Sequence, residues 1–295
     1  MGLLDGLEIF GMDGSNMGDL FSDQKKQPTV QRTGAPVVHK ETETKEEDLL
    51  LAKKTVCPVC DHEFKTLTPK SGRVRRKESD RDLRPRSVGI DTLKYNVICC
   101  PMCGYAGLTQ NDWFQNILRP QKPLIRAQVT SKFDPLSVRA AYGADVRKWS
   151  YELSIALHKL SLFNSMVKNA KASEKAYNCL VLSWLHRGWG EELREHGAEE
   201  GMQAKVRAVE EDYYKKAYEG LTKAMATETP PVCGMSEHML SYLVAVMSQK
   251  FGKLEIASKL VATILVSQTA EGKVKDRARD LKEELITQIK ERKQM

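Results

Sequence analysis

The chain has 295 residues, of which 41% are hydrophobic and 29% are charged, and its formal net charge is +7. This length and apolar fraction are enough for two modest domains with cores of their own. No stretch approaches the length of a membrane span, and the first residues lack the basic and apolar regions of a signal peptide. The composition therefore argues against a membrane or exported protein, and we expect a cytoplasmic one.

Residues 1–53 are predicted to be a disordered, acidic N-terminal tail. They carry 6 Lys and Arg against 10 Asp and Glu, and residues 41–48 form an acidic run without apolar periodicity. The tail also contains a short apolar cluster, formed by Leu3, Leu4, Leu7, Ile9 and Phe10. Three interpretations are open: the cluster is part of a flexible tail, it folds back on its own domain, or it docks on a partner.

Residues 54–108 are predicted to form a zinc-ribbon-like domain around two Cys-Pro-x-Cys turns. The four cysteines are Cys57, Cys60, Cys100 and Cys103. Two intervening residues let one tight turn present both of its sulfurs to the same ion, and four thiolates suit the tetrahedral preference of zinc. The residues after the turns, Asp61 and Gly104, would have to accept a positive φ, which glycine does more readily. We therefore predict one structural zinc ion, with a pair of disulfides as the alternative.

Other residues near these turns have simpler interpretations. Cys99 would point away from Cys100 on a strand and is expected to be a small buried hydrophobe, with a redox-active thiol as the alternative. His62 is expected to lie near the site or to face solvent, since four cysteines already satisfy the ion. Cys179 and Cys233 are expected to be packing residues within helical segments.

A long basic insertion separates the two turns. Residues 54–133 hold 15 Lys and Arg against 7 Asp and Glu, and nine of these cations lie between Lys65 and Arg86. Such a segment could bind nucleic-acid phosphates, or it could be a solvated loop that offsets the negative charge of a zinc–thiolate centre. The insertion lacks aromatic residues for base stacking and contains Glu78, Asp80 and Asp82, which weakens the nucleic-acid interpretation.

Residues 109–133 are predicted to be a bridging helix and linker. A short helix is indicated that begins near Asn111 or Asp112 and is ended by Arg119-Pro120 and Pro123; its apolar residues are Trp113, Phe114, Ile117 and Leu118. Its apolar face would pack the ribbon against the next domain.

Residues 134–295 are predicted to be a helical domain, because apolar residues there recur every three or four positions. Ser236 is a candidate N-cap, and Gly188-Trp189-Gly190 and Pro230-Pro231 are candidate stops. The six predicted helices cover 138–160, 176–188, 199–224, 236–250, 254–265 and 271–289.

Helices joined by short connections indicate an array of α-helical hairpins. The pair around Phe251-Gly252-Lys253 has the features of a tetratricopeptide repeat, with Ala257 where the two helices would approach closely. A clean repeat period is not visible over residues 134–232, so a generic helical bundle is the alternative. The fold class is α+β and mostly α: a small β zinc ribbon followed by a tetratricopeptide-like hairpin array.

Several sequence segments together resemble one known family. They are Cys57-Pro58-Val59-Cys60, Ser79-Asp80-Arg81-Asp82-Leu83-Arg84-Pro85, residues 90–97, and Cys100-Pro101-Met102-Cys103-Gly104-Tyr105-Ala106. This combination, followed by helices, is similar to the bacterial family called domain of unknown function 2225, over residues 54 to about 290. The resemblance implies a cytoplasmic protein with a zinc-ribbon-like head, four cysteine ligands and a tetratricopeptide-like body. It implies no catalytic residues.

The sequence contains none of the common hydrolytic or phosphate-binding motifs, such as HExxH, GxSxG or GxxxxGK[ST]. We therefore expect a non-enzymatic adaptor or scaffold that binds an unknown protein or peptide through its helical domain. The alternatives are a nucleic-acid-binding protein that uses the basic insertion, and a thiol redox sensor that uses Cys99.

Overall fold

A computed structural model describes residues 4–12, 45–139, 142 and 146–294. Three short hairpins precede a series of helices. The strands are β1 Leu50–Val56, β2 Glu63–Pro69, β3 Arg76–Lys77, β4 Arg86–Ser87, β5 Val97–Cys99 and β6 Ala106–Leu108. The helices are α1 Gln121–Ile125, α2 Pro135–Arg139, α3 Tyr151–Val167, α4 Ala172–Glu195, α5 Glu200–Thr227, α6 Glu237–Lys250, α7 Leu254–Val266 and α8 Gly272–Gln294. The chain is therefore mostly helical with small antiparallel strand pairs, as the sequence predicts.

Each hairpin is a separate two-stranded antiparallel sheet, and the order along the chain is β1–β2, β3–β4 and β5–β6. In the first hairpin Val56 pairs with Glu63, and in the third Cys99 pairs with Ala106. Each of these two hairpins therefore closes on one Cys-Pro-x-Cys turn. The small hairpin β3–β4 lies in the basic insertion between them.

The bridging helix lies further along the chain than the sequence predicts. Residues Gln110–Asp112 form only a 3₁₀ turn, whereas α1 begins at Gln121 and continues into a π-helical turn, Arg126–Thr130. Pro120 and Pro123 were expected to end a helix, but they lie at its start. Proline is tolerated there because the first amides of a helix lack an intrahelical acceptor.

The first helix of the body is shorter at its N-terminus than predicted. The apolar stripe from Val138 onward suggested one helix, but α2 ends at Arg139 and α3 begins at Tyr151. Ser150 is the N-cap of α3, and its hydroxyl accepts a hydrogen bond from the Leu153 amide. The cap fixes the true start of the helix, which a periodic stripe cannot show.

Helix α4 continues through the glycines that were expected to end it. Gly188 lies in the middle of α4, at a position where a side chain would collide with neighbouring groups. A Cβ atom on Gly188 would come within 2.5 Å of the Tyr151 hydroxyl and 2.7 Å of the Arg84 guanidinium. This glycine therefore permits a close approach to the helix rather than a turn.

The remaining helices begin and end close to the predicted positions. Ser236 caps α6, since its hydroxyl accepts a hydrogen bond from the Met239 amide. Gly252 adopts φ 68° in the turn between α6 and α7, and Ala257 is fully buried where these helices meet. The hairpin array predicted from the sequence is confirmed.

Two apolar clusters hold the described residues together. The larger one is continuous from the β5–β6 hairpin through α3, α4 and α5 to one face of α6, which contributes Leu240, Leu243, Val244 and Met247. The smaller one joins α6, α7 and α8 around Tyr242, Val261 and Leu281. The hairpins that carry the cysteines thus share a core with α3, α4, α5 and one face of α6, whereas the other face of α6 packs with α7 and α8.

The described parts of the N-terminal tail are folded, which differs from the predicted disorder. Residues 4–12 form a turn whose Leu7 and Phe10 side chains are buried, and β1 already begins at Leu50. This agrees with the alternative in which the apolar cluster folds back on its own protein. Residues 13–44, the rest of the predicted tail, lie outside the described residues.

Candidate metal centre

The two Cys-Pro-x-Cys turns have the same backbone hydrogen bonds. In the first, the amide of Cys57 donates to the carbonyl of His62 and the amide of Asp61 donates to the carbonyl of Cys57, at 3.0 and 2.9 Å. In the second, Cys100 donates to Tyr105 and Gly104 donates to Cys100, at 2.8 and 3.0 Å. This repetition makes the turns two copies of one cysteine knuckle, each at the tip of a hairpin.

The residue after each second cysteine has the positive φ that the sequence predicts. Asp61 adopts φ 57° and Gly104 adopts φ 69°. The second position also needs glycine for space, because a Cβ atom on Gly104 would lie 2.5 Å from the Phe133 ring. Asp61 has the less favourable residue type at the equivalent position of the first knuckle.

The knuckles bring the four cysteine sulfurs together. All four Sγ atoms lie within 4.8 Å of one another, and the pairs Cys57–Cys103 and Cys60–Cys100 are 3.6 Å apart. All four are free thiols, which excludes the disulfide alternative in this structure. A tetrahedral thiolate site with metal–sulfur distances of about 2.3 Å has sulfur–sulfur edges of about 3.8 Å. The quartet therefore fits a single metal ion, with Cys60 on the solvent side.

The electrostatics of Cys57, Cys100 and Cys103 also favour a cation. Hydrogen bonds from Cys103 and Cys57 lower the pKa of the Cys100 thiol to about 4, since they stabilise its thiolate. The same hydrogen bonding to Cys100 raises the pKa of the Cys103 thiol and that of Cys57. One thiolate can be stabilised by its protonated neighbours, but four adjacent negative charges need a bound cation.

Three side chains from later in the chain hold the knuckle backbones. The Arg126 guanidinium donates to the carbonyl of Val59 at 2.7 Å. The Thr130 hydroxyl donates to the carbonyl of Cys103 at 3.0 Å, and the Asn164 amide donates to the carbonyl of Gly104 at 3.2 Å. Arg126, the first residue of the π-helical turn, thus contacts the first knuckle, and Thr130, its last residue, contacts the second.

The burial of the other cysteines and the position of His62 agree with the simpler interpretations, but Cys233 lies in the turn between α5 and α6 and not in a helix. Cys99, Cys179 and Cys233 are all buried. Burial raises the pKa of the Cys99 thiol well above its usual value, so this thiol is protonated at neutral pH. His62 is partly exposed and stacks on Phe64.

The basic insertion packs against the helical array through ion pairs. Arg84 is almost fully buried and contacts both Asp91, at 3.3 Å, and Glu191 of α4, at 2.9 Å. Arg86 also pairs with Glu191, at 2.6 Å, and Arg81 pairs with Glu284 of α8. These arginines are therefore engaged by carboxylates of the protein itself.

An acidic residue of the insertion makes the reciprocal contact. Asp82 is buried and accepts two hydrogen bonds from Arg187 of α4, at 3.1 and 2.8 Å, and one from the Trp184 indole at 3.1 Å. Despite the opposing effect of its burial, these bonds lower the pKa of the Asp82 carboxyl. The insertion is thus an anchored connection, whereas Arg73, Arg76 and Lys77 remain exposed on it.

Sequence reasoning found the cysteines but not the residues that support them. The knuckle spacing is local, whereas Arg126, Thr130 and Asn164 contact the knuckles across 27 to 67 residues of chain. The alternation of aspartates with arginines in residues 80–86 was the available signal for the anchored insertion. A segment that only bound phosphates would not need those carboxylates.

Among the described residues, no helix combines the length and apolar character needed to cross a membrane. No curated protein is detectably similar to the chain, and neither is any solved structure. One family model matches residues 50–285, a range that holds all four cysteines, the basic insertion and helices α1 to α7 entirely. The chain therefore belongs to the family described as uncharacterized protein conserved in bacteria (DUF2225).

Proposed function

We propose that this protein is a non-enzymatic, zinc-binding adaptor of the cytoplasm that holds a protein or peptide partner on its helical array. The observation that carries the proposal is the four-cysteine quartet, which is fixed to the array by Arg126, Thr130 and Asn164. In this arrangement a metal ion would make the two hairpins rigid with respect to the helices.

The donor set supports zinc in a structural role. Four thiolates at the corners of a tetrahedron are typical of structural zinc, and they leave no open position for a substrate or water. The contacts around the quartet also indicate a structural role, because the three supporting side chains donate to backbone carbonyls of the knuckles and hold them in place.

The helical array supports an adaptor role. Arrays of α-hairpins present extended surfaces to which proteins and peptides bind. The outer surface of α7 carries apolar side chains, with Ile256 46% and Val266 79% exposed. The anchored insertion keeps the head in a fixed position relative to this array, as a scaffold requires.

Elemental analysis of the purified full chain tests the metal. We expect one zinc ion per chain, and we expect Cys60→Ser to lower the zinc content by weakening the quartet. Cys233→Ser is the matched control, because its thiol donates a hydrogen bond to the carbonyl of Ser173 and lies outside the quartet. Absence of metal, or iron in place of zinc, would overturn this part of the proposal.

Cross-linking of the full chain in its native cells tests the adaptor role. We expect a specific partner whose cross-links map to α2–α8. Recovery of the same proteins from cells that express an unrelated helical protein would count against an adaptor.

Two other functions have less support. A nucleic-acid-binding role would use the insertion, but Arg81, Arg84 and Arg86 pair with carboxylates. Retarded migration of DNA or RNA that weakens steeply with salt would revive it. A redox-sensor role would use Cys99, whose thiol is buried and has a raised pKa. Loss of zinc on mild oxidation would revive that function.

A further inference from the structure

The N-terminal segment, residues 4–12, packs against the rest of the protein through four buried side chains. Its four anchors are Leu4, Leu7, Phe10 and Met12, which are 5%, 0%, 1% and 1% exposed. The first three are spaced three residues apart, so the turn presents them on one side. The next described residue is Lys45, so the segment is joined to the rest of the described chain only through residues 13–44.

The surface beneath this segment is formed by Phe133, Asp134, helix α2 and helix α3, and we call it the α2–α3 groove. The Phe10 ring stacks on Phe133 with centroids 6.3 Å apart, and the Asp134 amide donates to the carbonyl of Phe10 at 3.0 Å. At the other end, the Lys159 ammonium donates to the carbonyl of Asp5 at 2.6 Å. The groove therefore offers apolar contacts, one backbone donor and one cation.

The segment also has features that define what fits the groove. Gly6 and Gly11 adopt φ 96° and 76°, so both positions favour glycine. A Cβ atom on Gly11 would lie 2.7 Å from the carbonyl oxygen of Lys132. Burial lowers the pKa of the Lys159 ammonium, and the nearby charges of Asp5 and Glu8 partly oppose that effect. The pattern is Leu-acidic-Gly-Leu-acidic-x-aromatic-Gly.

The family model covers the groove but not residues 4–12, which occupy it. Phe133, Asp134, α2 and α3, which form the groove, lie inside the matched range 50–285, whereas residues 4–12 lie outside it. A tethered segment that is held by side chains and a few hydrogen bonds can leave its groove without unfolding the helices below it.

We propose that the α2–α3 groove is the peptide-binding site of this protein, and that residues 4–12 are an intramolecular plug. The partner is a protein that presents a short acidic segment of the same type, with two leucines and an aromatic residue three positions apart and a glycine after the aromatic residue. This inference deepens the proposed adaptor function, because it names the site and the class of partner. The plug makes binding competitive: a partner segment must displace residues 4–12.

The plug can be released without any substitution in it. A cleavage site for a specific protease is inserted into residues 13–44 of the full chain, and binding of a labelled synthetic peptide of residues 1–12 is measured by fluorescence anisotropy. Before cleavage the tethered plug competes at an effective concentration in the millimolar range. We therefore expect the cleaved protein to bind the peptide at least about tenfold more tightly than the intact protein.

A control peptide with Leu7→Asp and Phe10→Asp should not bind, and one with Gly11→Val should bind much more weakly. Equal binding before and after cleavage would overturn the plug, and equal binding of the control peptides would overturn the site. A second variant carries Leu7→Asp and Phe10→Asp in the full chain. If it remains folded by circular dichroism, it should bind the wild-type peptide without cleavage, and failure to bind would also overturn the proposal.

The peptide also separates this inference from the adaptor function. Partner cross-links that disappear in excess peptide support both. Cross-links that persist would place the partner elsewhere and overturn the groove as its site, while the adaptor function stands. Peptide binding without any cross-linked partner would support residues 4–12 as a plug but would overturn the adaptor function and the proposed partner. A dimer of the intact protein that the peptide dissociates would assign the groove to a second copy of the chain, and would overturn a different partner.

Discussion

At the scale of single residues, the candidate metal centre depends on more than its cysteines. Arg126 and Thr130 lie at the two ends of one helical turn, and each donates to a different knuckle. Cysteine spacing reveals ligands because two sulfurs in one tight turn are a local property of the chain. The supporting side chains cannot be found in this way, because an arginine and a threonine at ordinary helix positions carry no local signal.

The double variant Arg126→Met and Thr130→Val should weaken the hold on the metal without removing a ligand. Loss of such supporting contacts typically costs about tenfold or more in metal affinity. We expect zinc to pass to a chromogenic chelator about tenfold faster than from the wild-type chain. Lys132→Met is the control, since its side chain is exposed. Equal rates for all three proteins would contradict the role of the helical turn.

Gly188 and Gly190 provide a second test at this scale. Gly188→Ala would bring a methyl group within 2.7 Å of the buried Arg84 guanidinium and 2.9 Å of the Asp91 carboxylate. Overpacking of this kind costs about 1–3 kcal/mol of unfolding free energy. In Gly190→Ala the nearest atom is a Val206 methyl at 3.7 Å, so we expect a small stabilisation from helix propensity. Urea unfolding of the two variants measures the difference, and similar values would show that the Arg84 contact can relax.

At the scale of helices, α3 and α4 each contain a buried histidine that the sequence did not distinguish. His158 and His186 lie within their helices and contact the carbonyls of Ser154 and Leu182, each at 2.7 Å. Burial lowers the pKa of each imidazole to about 4. Both are therefore neutral in the folded protein at pH 7.

These helices should lose stability as the pH falls. A histidine in the unfolded chain has a pKa of about 6.5, so below that pH the unfolded state binds more protons than the folded state. The full stability is present above pH 6.5 and is lost progressively towards pH 4, at about 2 kcal/mol for each histidine by pH 5. Urea unfolding between pH 7.5 and 5 measures this loss. His158→Gln should flatten the dependence, whereas His196→Gln, at an exposed position, should not.

Helix boundaries were predictable where a cap or a special φ defines them and unpredictable where a long-range contact does. Ser236 and Gly252 mark α6 and α7 correctly, because caps and turns are local. Gly188 looked like a stop but serves a contact with residue 84, about a hundred positions earlier. Pro120 looked like an end and proved to be a start, since proline is compatible with both sides of a helix boundary.

At the scale of the whole molecule, the two apolar clusters predict how far the effect of the metal extends. The knuckle hairpins share their core with α3, α4, α5 and one face of α6, whereas α7 and α8 pack on the other face of α6 in a second core. The sequence predicted a head and a body but could not show this division. It depends on which faces meet, and on pairs such as Arg84 with Glu191 that are far apart in the chain.

Chelation of the metal should therefore loosen only one part of the protein. We expect faster amide hydrogen exchange in the β1–β2 and β5–β6 hairpins and in residues 121–130, because the four thiols would repel one another when they ionise. Helices α7 and α8, which belong to the second cluster, should exchange as before and serve as the internal control, and added zinc should reverse the change. Uniformly faster exchange over the chain would contradict two separable cores.

The order in which the ribosome produces these parts has a consequence for how the metal is acquired. All four cysteines are translated before Arg126, Thr130 and Asn164. A nascent chain would therefore be able to bind an ion at the quartet early, but all three supporting contacts would form only after α3 has emerged. We expect stalled chains that expose only the residues up to about 120 to lose zinc to a chelator faster than chains that expose residue 170. Zinc retained on purified ribosome complexes measures this difference.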